Sequence, residues 1–230
     1  KNTCLIHERL GSGLFLGVAV TNLAITGLPP RGEPQAEPLF AATPRRRRPP
    51  VRPYATACGS CTRCLDACPT GALLPTGGLD AGRCLSTWTI EHRGTAPAGA
   101  RPRQGGILFG CDICQAVCPW NQRAAARPTP WPVHPDYAPL PAHRELALAD
   151  LLDLDEVEFR RRFRRTPLWR SHPAGLVRNA LTVAANTGRR DLIDRIVRLQ
   201  SRTTDDAVRR TADWALRRLR SDPAGEDGTP

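Results

Sequence analysis

Cys58, Cys61, Cys64 and Cys68, followed at once by Pro69, form a C-x2-C-x2-C-x3-C-P run. This is the spacing of [4Fe-4S] ligation: thiolates three residues apart on a tight loop turn toward one cubane, and the proline bends the chain so that Cys68 faces a second centre. A second cluster is therefore expected. Cys111, Cys114, Cys118 and Pro119 keep the last three cysteines of the pattern and lack its first, which the isolated Cys84 can supply.

In two-cluster ferredoxins the fourth cysteine of each run crosses to the other cluster. That pairs Cys58, Cys61 and Cys64 with Cys118, and Cys84, Cys111 and Cys114 with Cys68. Eight of the nine cysteines are then used. Zinc would need two tetrahedral Cys4 sites and gives no reason for Cys-Pro to close both runs. Disulfides belong to oxidising compartments, and no signal peptide is visible. Cys4 lies in an apolar stretch and reads as an ordinary buried residue.

The elements that must position these ligands fit within 230 residues, long enough for one large or two small domains. The chain starts at Lys1 and contains no Met, so it is expected to be processed or a fragment. The charge of +11, from 33 Lys and Arg against 22 Asp and Glu, points to an anionic partner, most simply nucleic acid. Genomic base composition could also enrich arginine in a chain rich in Pro and Ala. No apolar run approaches the roughly eighteen residues that span a bilayer, so no membrane association is expected, and the reading is cytoplasmic.

The sequence divides into six parts. Residues 1–28 hold an apolar stretch from Leu14 to Leu28 suited to a buried strand or short helix. Residues 29–53 hold eight prolines and the run Arg45-Arg46-Arg47-Arg48, a linker with no core of its own that could touch phosphate. Residues 54–127 form the two-cluster module. There Pro69 to Leu73 reads as a turn into a short strand, Ser86 to Glu91 as a short helix or strand, and Gly94 to Gly106 as a flexible loop. Residues 128–145 are a second Pro-rich linker, 146–221 a helical region, and 222–230 a disordered tail.

Four amphipathic segments are expected in the helical region. Leu151, Leu152, Leu154, Val157, Phe159 and Phe163 mark the first, with Arg160 to Arg165 clustered among them. Leu176 to Ala184 mark the second, closed by Asn186-Thr187-Gly188. Leu192, Ile193, Ile196, Val197 and Leu199 mark the third, and Ala207 to Leu219 the fourth. Such short helices in series resemble HEAT-type pairs. Two pairs are few, so the stack must lean on the cluster module. The fold class is thus α+β: a ferredoxin-like two-[4Fe-4S] module followed by a HEAT-like helical region.

Four motifs together resemble the epoxyqueuosine reductases: Cys58 to Pro69, Cys84 to Gly94 (Cys-Leu-Ser-Thr-Trp-Thr-Ile-Glu-His-Arg-Gly), Gly110 to Cys114, and Val117-Cys118-Pro119-Trp120-Asn121. Lys1 to His7 and Leu14 to Gly17 are similar to the end of that family's α/β cobalamin-binding domain, and Gly175 to Ala180 to its HEAT-like region. The resemblance implies cobalamin fed with electrons by the two clusters and reduction of an epoxide on a modified base of tRNA. It also implies an external electron donor, tRNA bound through its anticodon stem-loop, and a monomer. Asn2, Leu5, Leu16, Ser86 and Asp112 match positions that line the corrin; Asn2, Ser86 and Asp112 could equally be turn or cluster-supporting residues, and Leu5 and Leu16 ordinary core. The family's catalytic acid lies before the motif at which this chain begins, so no catalytic residue is assigned and the chain is expected to be incomplete for turnover. Alternatives are a two-cluster electron carrier or an iron-sulfur subunit of another oxidoreductase.

Overall fold

The computed structural model describes residues 4, 6, 10–13, 58–75, 77–126 and 146–221. Eight α-helices are described: α1 (Arg63–Asp66), α2 (Ile113–Ala116), α3 (Pro119–Ala125), α4 (Leu148–Leu152), α5 (Glu156–Phe163), α6 (His172–Asn186), α7 (Ile193–Arg202) and α8 (Asp206–Ser221). Short 3-10 turns cover Ala81–Arg83, Pro102–Gln104, Pro167–Ser171 and Arg190–Leu192, and a π-helical turn covers Thr87–Glu91. The described part is mainly helical. The expected strand after Pro69 is a single antiparallel bridge, Leu73 to Leu79. The apolar stretch 14–28, the linkers 29–53 and 128–145, the Arg45 to Arg48 run and the tail 222–230 lie outside the described residues.

Residues 146–221 build one core. Leu151, Leu152, Phe159, Phe163, Leu176, Leu181 and Ile196 are buried in a cluster that Val208, Ala212, Leu216 and Leu219 of α8 close. Its centre is where α6 packs against α8, and α7, which also packs on α8, adds Ile196 and Leu199 to the same core. Phe159 stacks on the Trp169 ring at 5.2 Å.

Each helix end follows from local chemistry. Asp205 accepts from Val208 N at 2.9 Å and so caps α8, whose last turn carries Arg218 and Arg220 against the dipole. Gly188 takes φ +66°, letting Arg189 N reach back to Ala184 O at 3.0 Å, the Schellman closure of α6.

Three expectations are corrected. The first amphipathic segment is two helices, because Asp155 accepts from Glu158 N and restarts the helix after α4. That restart shifts the helical phase, so Val157 stands 76% exposed instead of joining the core. In α7, Val197 is likewise exposed. Gly94 to Gly106 is not a plain loop. Arg101 Nε donates to Ala96 O at 2.9 Å, Asn186 Nδ2 of α6 donates to Arg101 O at 2.8 Å, and Gln104 is buried.

Candidate iron-sulfur centre

The two cysteine runs fold into the same turn. In the first, Thr62 O accepts from Leu65 N (2.8 Å) and Asp66 N (3.0 Å), and Cys68 N donates to Leu65 O (3.3 Å). In the second, Asp112 O accepts from Gln115 N (2.9 Å) and Ala116 N (2.8 Å), and Cys118 N donates to Gln115 O (3.1 Å). Cys64 and Cys114 therefore occupy equivalent places in α1 and α2, which pack against each other. Cys118 precedes α3, where Pro119 takes the first helical position that needs no N–H.

None of the nine cysteines forms a disulfide among the described residues; Cys64 and Cys118 are buried and the others half-buried. Burial pushes the Cys114 thiol up to about 11, and the thiolates of Cys4, Cys111, Cys64 and Cys68 add to the rise. Burial also raises Cys111, further raised by Cys84 and Cys68 and offset by the Ile113 N–H. Cys111 thus feels Cys84 and Cys68 of the expected second set, and Cys114 feels Cys4 and Cys64 besides Cys111 and Cys68. In the first set, Cys58 raises Cys64, for which burial is the larger cause. Burial opposes ionisation of Cys68, but the N–H groups of Thr70 and Ala72 outweigh it and lower this thiol, with Ala72 N 3.3 Å from Sγ. Thiolates that repel one another in a half-buried site are what a cationic iron centre neutralises.

Among the described residues no three His, Cys, Asp or Glu side chains converge as a single metal ion requires. A cubane needs no such convergence, since each thiolate takes a different iron. Cys4, expected as an ordinary buried residue, is half-buried, with its thiol raised by burial and then by Cys118 and Asp112.

Cys84 reaches the site by another route. Asp80 Oδ1 accepts from Gly82 N at 3.0 Å and caps the 3-10 turn that ends at Cys84, and the π-helical turn follows. Of the corrin-matching residues, Asn2, Leu5 and Leu16 lie outside the described residues. Ser86 and Asp112 meet at Cys111: Ser86 Oγ donates to Cys111 O at 3.5 Å, and Asp112 is its chain neighbour. Asp112 is exposed, accepts from Gln115 Nε2 at 2.8 Å, and with Leu10, Gly13 and Asn121 lines an open cleft of about 420 Å3.

Two arrangements escaped the reading of the sequence. Asn121 clasps the N-terminal segment: its Oδ1 accepts from Ser12 N at 2.6 Å, and its Nδ2 donates to Ser12 Oγ and Gln115 O, both at 2.8 Å. Gly11, at φ +69°, has no room for a Cβ against Asn121 Oδ1. The other arrangement joins α6 to the cluster segment. Arg178, only 3% exposed, donates to His92 O (2.7 Å), Gly94 O (2.6 Å) and Trp88 O (2.8 Å). Arg93 returns the contact, donating to Ser171 O (3.1 Å) and Arg170 O (3.0 Å), and Arg170 pairs with Glu91. The expected leaning of the helices on the cluster segment is therefore made through a polar joint, whose signal in the sequence was the Arg178-Asn179 dipeptide.

Part of the basic surface is internally paired. Arg160 pairs with Glu156, Arg161 with Glu158 and Arg209 with Asp206. Arg162 lies over the Phe163 ring. Arg164, Arg165, Arg217 and Arg220 are exposed.

Residues 57–121 match the family described as a 4Fe-4S double cluster binding domain. The chain is 38% identical over 94% of its length to an epoxyqueuosine reductase from Xanthomonas campestris, covering 53% of that protein. It is 34% identical over 95% of its length to the one from Lactococcus garvieae, covering 54% of it. The chain belongs to the epoxyqueuosine reductase family. It spans about half the length of these curated epoxyqueuosine reductases. Among solved structures, the Bacillus subtilis epoxyqueuosine reductase superposes with a TM-score of 0.65 at 34% identity, over 74% of this chain and 44% of that one. An epoxyqueuosine reductase crystallised with an epoxyqueuosine-modified tRNA-Tyr stem loop gives 0.64 at 34% identity, over 70% and 42%.

Proposed function

We propose that the chain holds two [4Fe-4S] clusters, one on Cys58, Cys61, Cys64 and Cys118 and the other on Cys84, Cys111, Cys114 and Cys68. On this reading it is the electron-delivering part of an epoxyqueuosine reductase, which converts epoxyqueuosine in tRNA to queuosine. The observation that carries the reading is the same cysteine-bearing turn built twice and packed face to face through α1 and α2. When bound, the clusters supply one-electron transfer and cobalamin the reductive chemistry at the epoxide.

The chain's own part is to hold and insulate. Ala72 N–H donates to the Cys68 sulfur and favours its thiolate form, while buried Cys64 and Cys118 keep water from one side of each turn. Ser86 and Asp112 meet at Cys111, which supports a corrin seated beside the second cluster; Asn2, Leu5 and Leu16 would complete its wall. We read the cluster segment as ferredoxin-like and α6, α7 and α8 as HEAT-like, supported by the packing of α6 and α7 on α8. An external donor would reduce the clusters. Cysteines that form no disulfide and a tRNA substrate fit the cytoplasm, and among the described residues no helix is long and apolar enough to cross a membrane.

Phosphates of the anticodon stem-loop would meet exposed arginines such as Arg164, Arg165, Arg217 and Arg220. A plain two-cluster carrier has no use for a helical stack joined to the clusters by Arg178. The test is binding of an anticodon stem-loop RNA to the iron-loaded chain across a salt series. Affinity that falls steeply with salt is expected; iron-loaded protein that ignores the RNA at low salt would favour the carrier.

A further inference from the structure

Three of the four sulfurs expected at the first cluster come from one turn, whose hydrogen bonds fix their spacing. The second set differs, because Cys84 stands alone in sequence and its register against Cys111 must be set by something other than a shared turn. Ser86 Oγ to Cys111 O, at 3.5 Å, is too long to set it alone.

Two fully buried side chains cross that gap. Thr89 Oγ1 donates to Leu85 O at 2.8 Å and accepts from Gly110 N at 3.0 Å. Leu85 follows Cys84 and Gly110 precedes Cys111, so one hydroxyl ties the backbones on which the two sulfurs hang. One level deeper, Asn179 Nδ2 of α6 donates to Thr89 O at 2.7 Å and to Leu108 O at 3.0 Å, joining the same two segments again. The π-helical register, with His92 N reaching Thr87 O at 2.9 Å, belongs to the turn that holds Thr89 between Leu85 and Gly110. Both side chains are about 2% exposed or less, so a lost partner leaves a buried polar group unsatisfied.

We infer that Thr89 and Asn179 are positioning residues for the second cluster, their hydroxyl and amide fixing the segment of Cys84 against that of Cys111. The inference rests on the cluster assignment above. It makes the helical stack part of the frame of one cluster and leaves the other to its own turn and to Cys118 of the second run.

Iron release to a ferrous chelator from the anaerobic, cluster-loaded full chain tests it. Two phases are expected, one per cluster. Thr89→Val, which keeps the shape and loses the hydroxyl, should speed one phase about tenfold and leave the other within twofold, whereas Thr89→Ser should restore the slow rate. Unchanged release in Thr89→Val, or equal acceleration of both phases, overturns the inference; a parent chain that takes up no iron fails the cluster assignment instead. Amide exchange in the unaltered chain serves if Thr89→Val does not accumulate. Loading the clusters should slow exchange in the peptide carrying Gly110 more than in an α8 peptide, and equal slowing overturns the inference.

Discussion

Replacing Arg178 by alanine should cost the folded chain about 3 kcal/mol. Its guanidinium donates to the carbonyls of His92, Gly94 and Trp88. At about 2 kcal/mol for each bond to a charged donor, these are worth about 6 kcal/mol. Against them stands the burial of the charge, which with Arg93 nearby lowers the Arg178 pKa to about 10; that shift corresponds to about 3 kcal/mol. The difference, about 3 kcal/mol, is what alanine forfeits, because the three carbonyls stay buried while their donor is gone. Urea unfolding followed by far-UV circular dichroism reads this directly, with Arg210→Ala on the exposed face of α8 as a control expected within about 0.5 kcal/mol. A loss under about 1 kcal/mol in Arg178→Ala would mean that the joint between α6 and the cluster segment does not hold the fold.

Gly11→Ala should open the Ser12 to Asn121 clasp without unfolding the helices, since φ +69° and Asn121 Oδ1 both exclude a Cβ; faster amide exchange at Ser12 with an unchanged thermal midpoint is the expected result. Phe163→Ala, emptying a fully buried site in the α5 to α6 core, should cost about 3–5 kcal/mol by the same urea assay. Burial, and then the neighbouring Arg178 guanidinium, hold the His92 imidazole below its ordinary value. The unfolded chain therefore binds more protons just below about pH 6.5, so stability should be lost as pH falls from there toward the lowered pKa. His92→Gln should remove that part of the slope in the thermal midpoint against pH.

The double-cluster domain was legible because ligation demands fixed cysteine spacing, and the spacing survives in a bare string of letters. The helical segments were legible for a similar reason: burial imposes a 3.6-residue period, which α8 carries in Ala207, Val208, Thr211, Ala212, Ala215, Leu216 and Leu219. Val157 was misplaced because the period is only meaningful within one helix, and Asp155 starts a new one. Arg178, Asn179 and Asn121 could be seen as motif letters but not as clamps. Their partners are backbone carbonyls and N–H groups, which every residue has, so nothing in the sequence marks which ones they meet. Gly94 to Gly106 looked unstructured for the same reason: its order comes from Asn186 and Arg101 bonding to main chain.

The central claim is eight thiolates divided between two clusters, and iron and acid-labile sulfide per anaerobically reconstituted chain test it most directly. About eight of each are expected in the parent chain, falling to about four of each in Cys118→Ala if the first cluster is lost while the second remains. Zinc in place of iron, or no sulfide, would contradict the account.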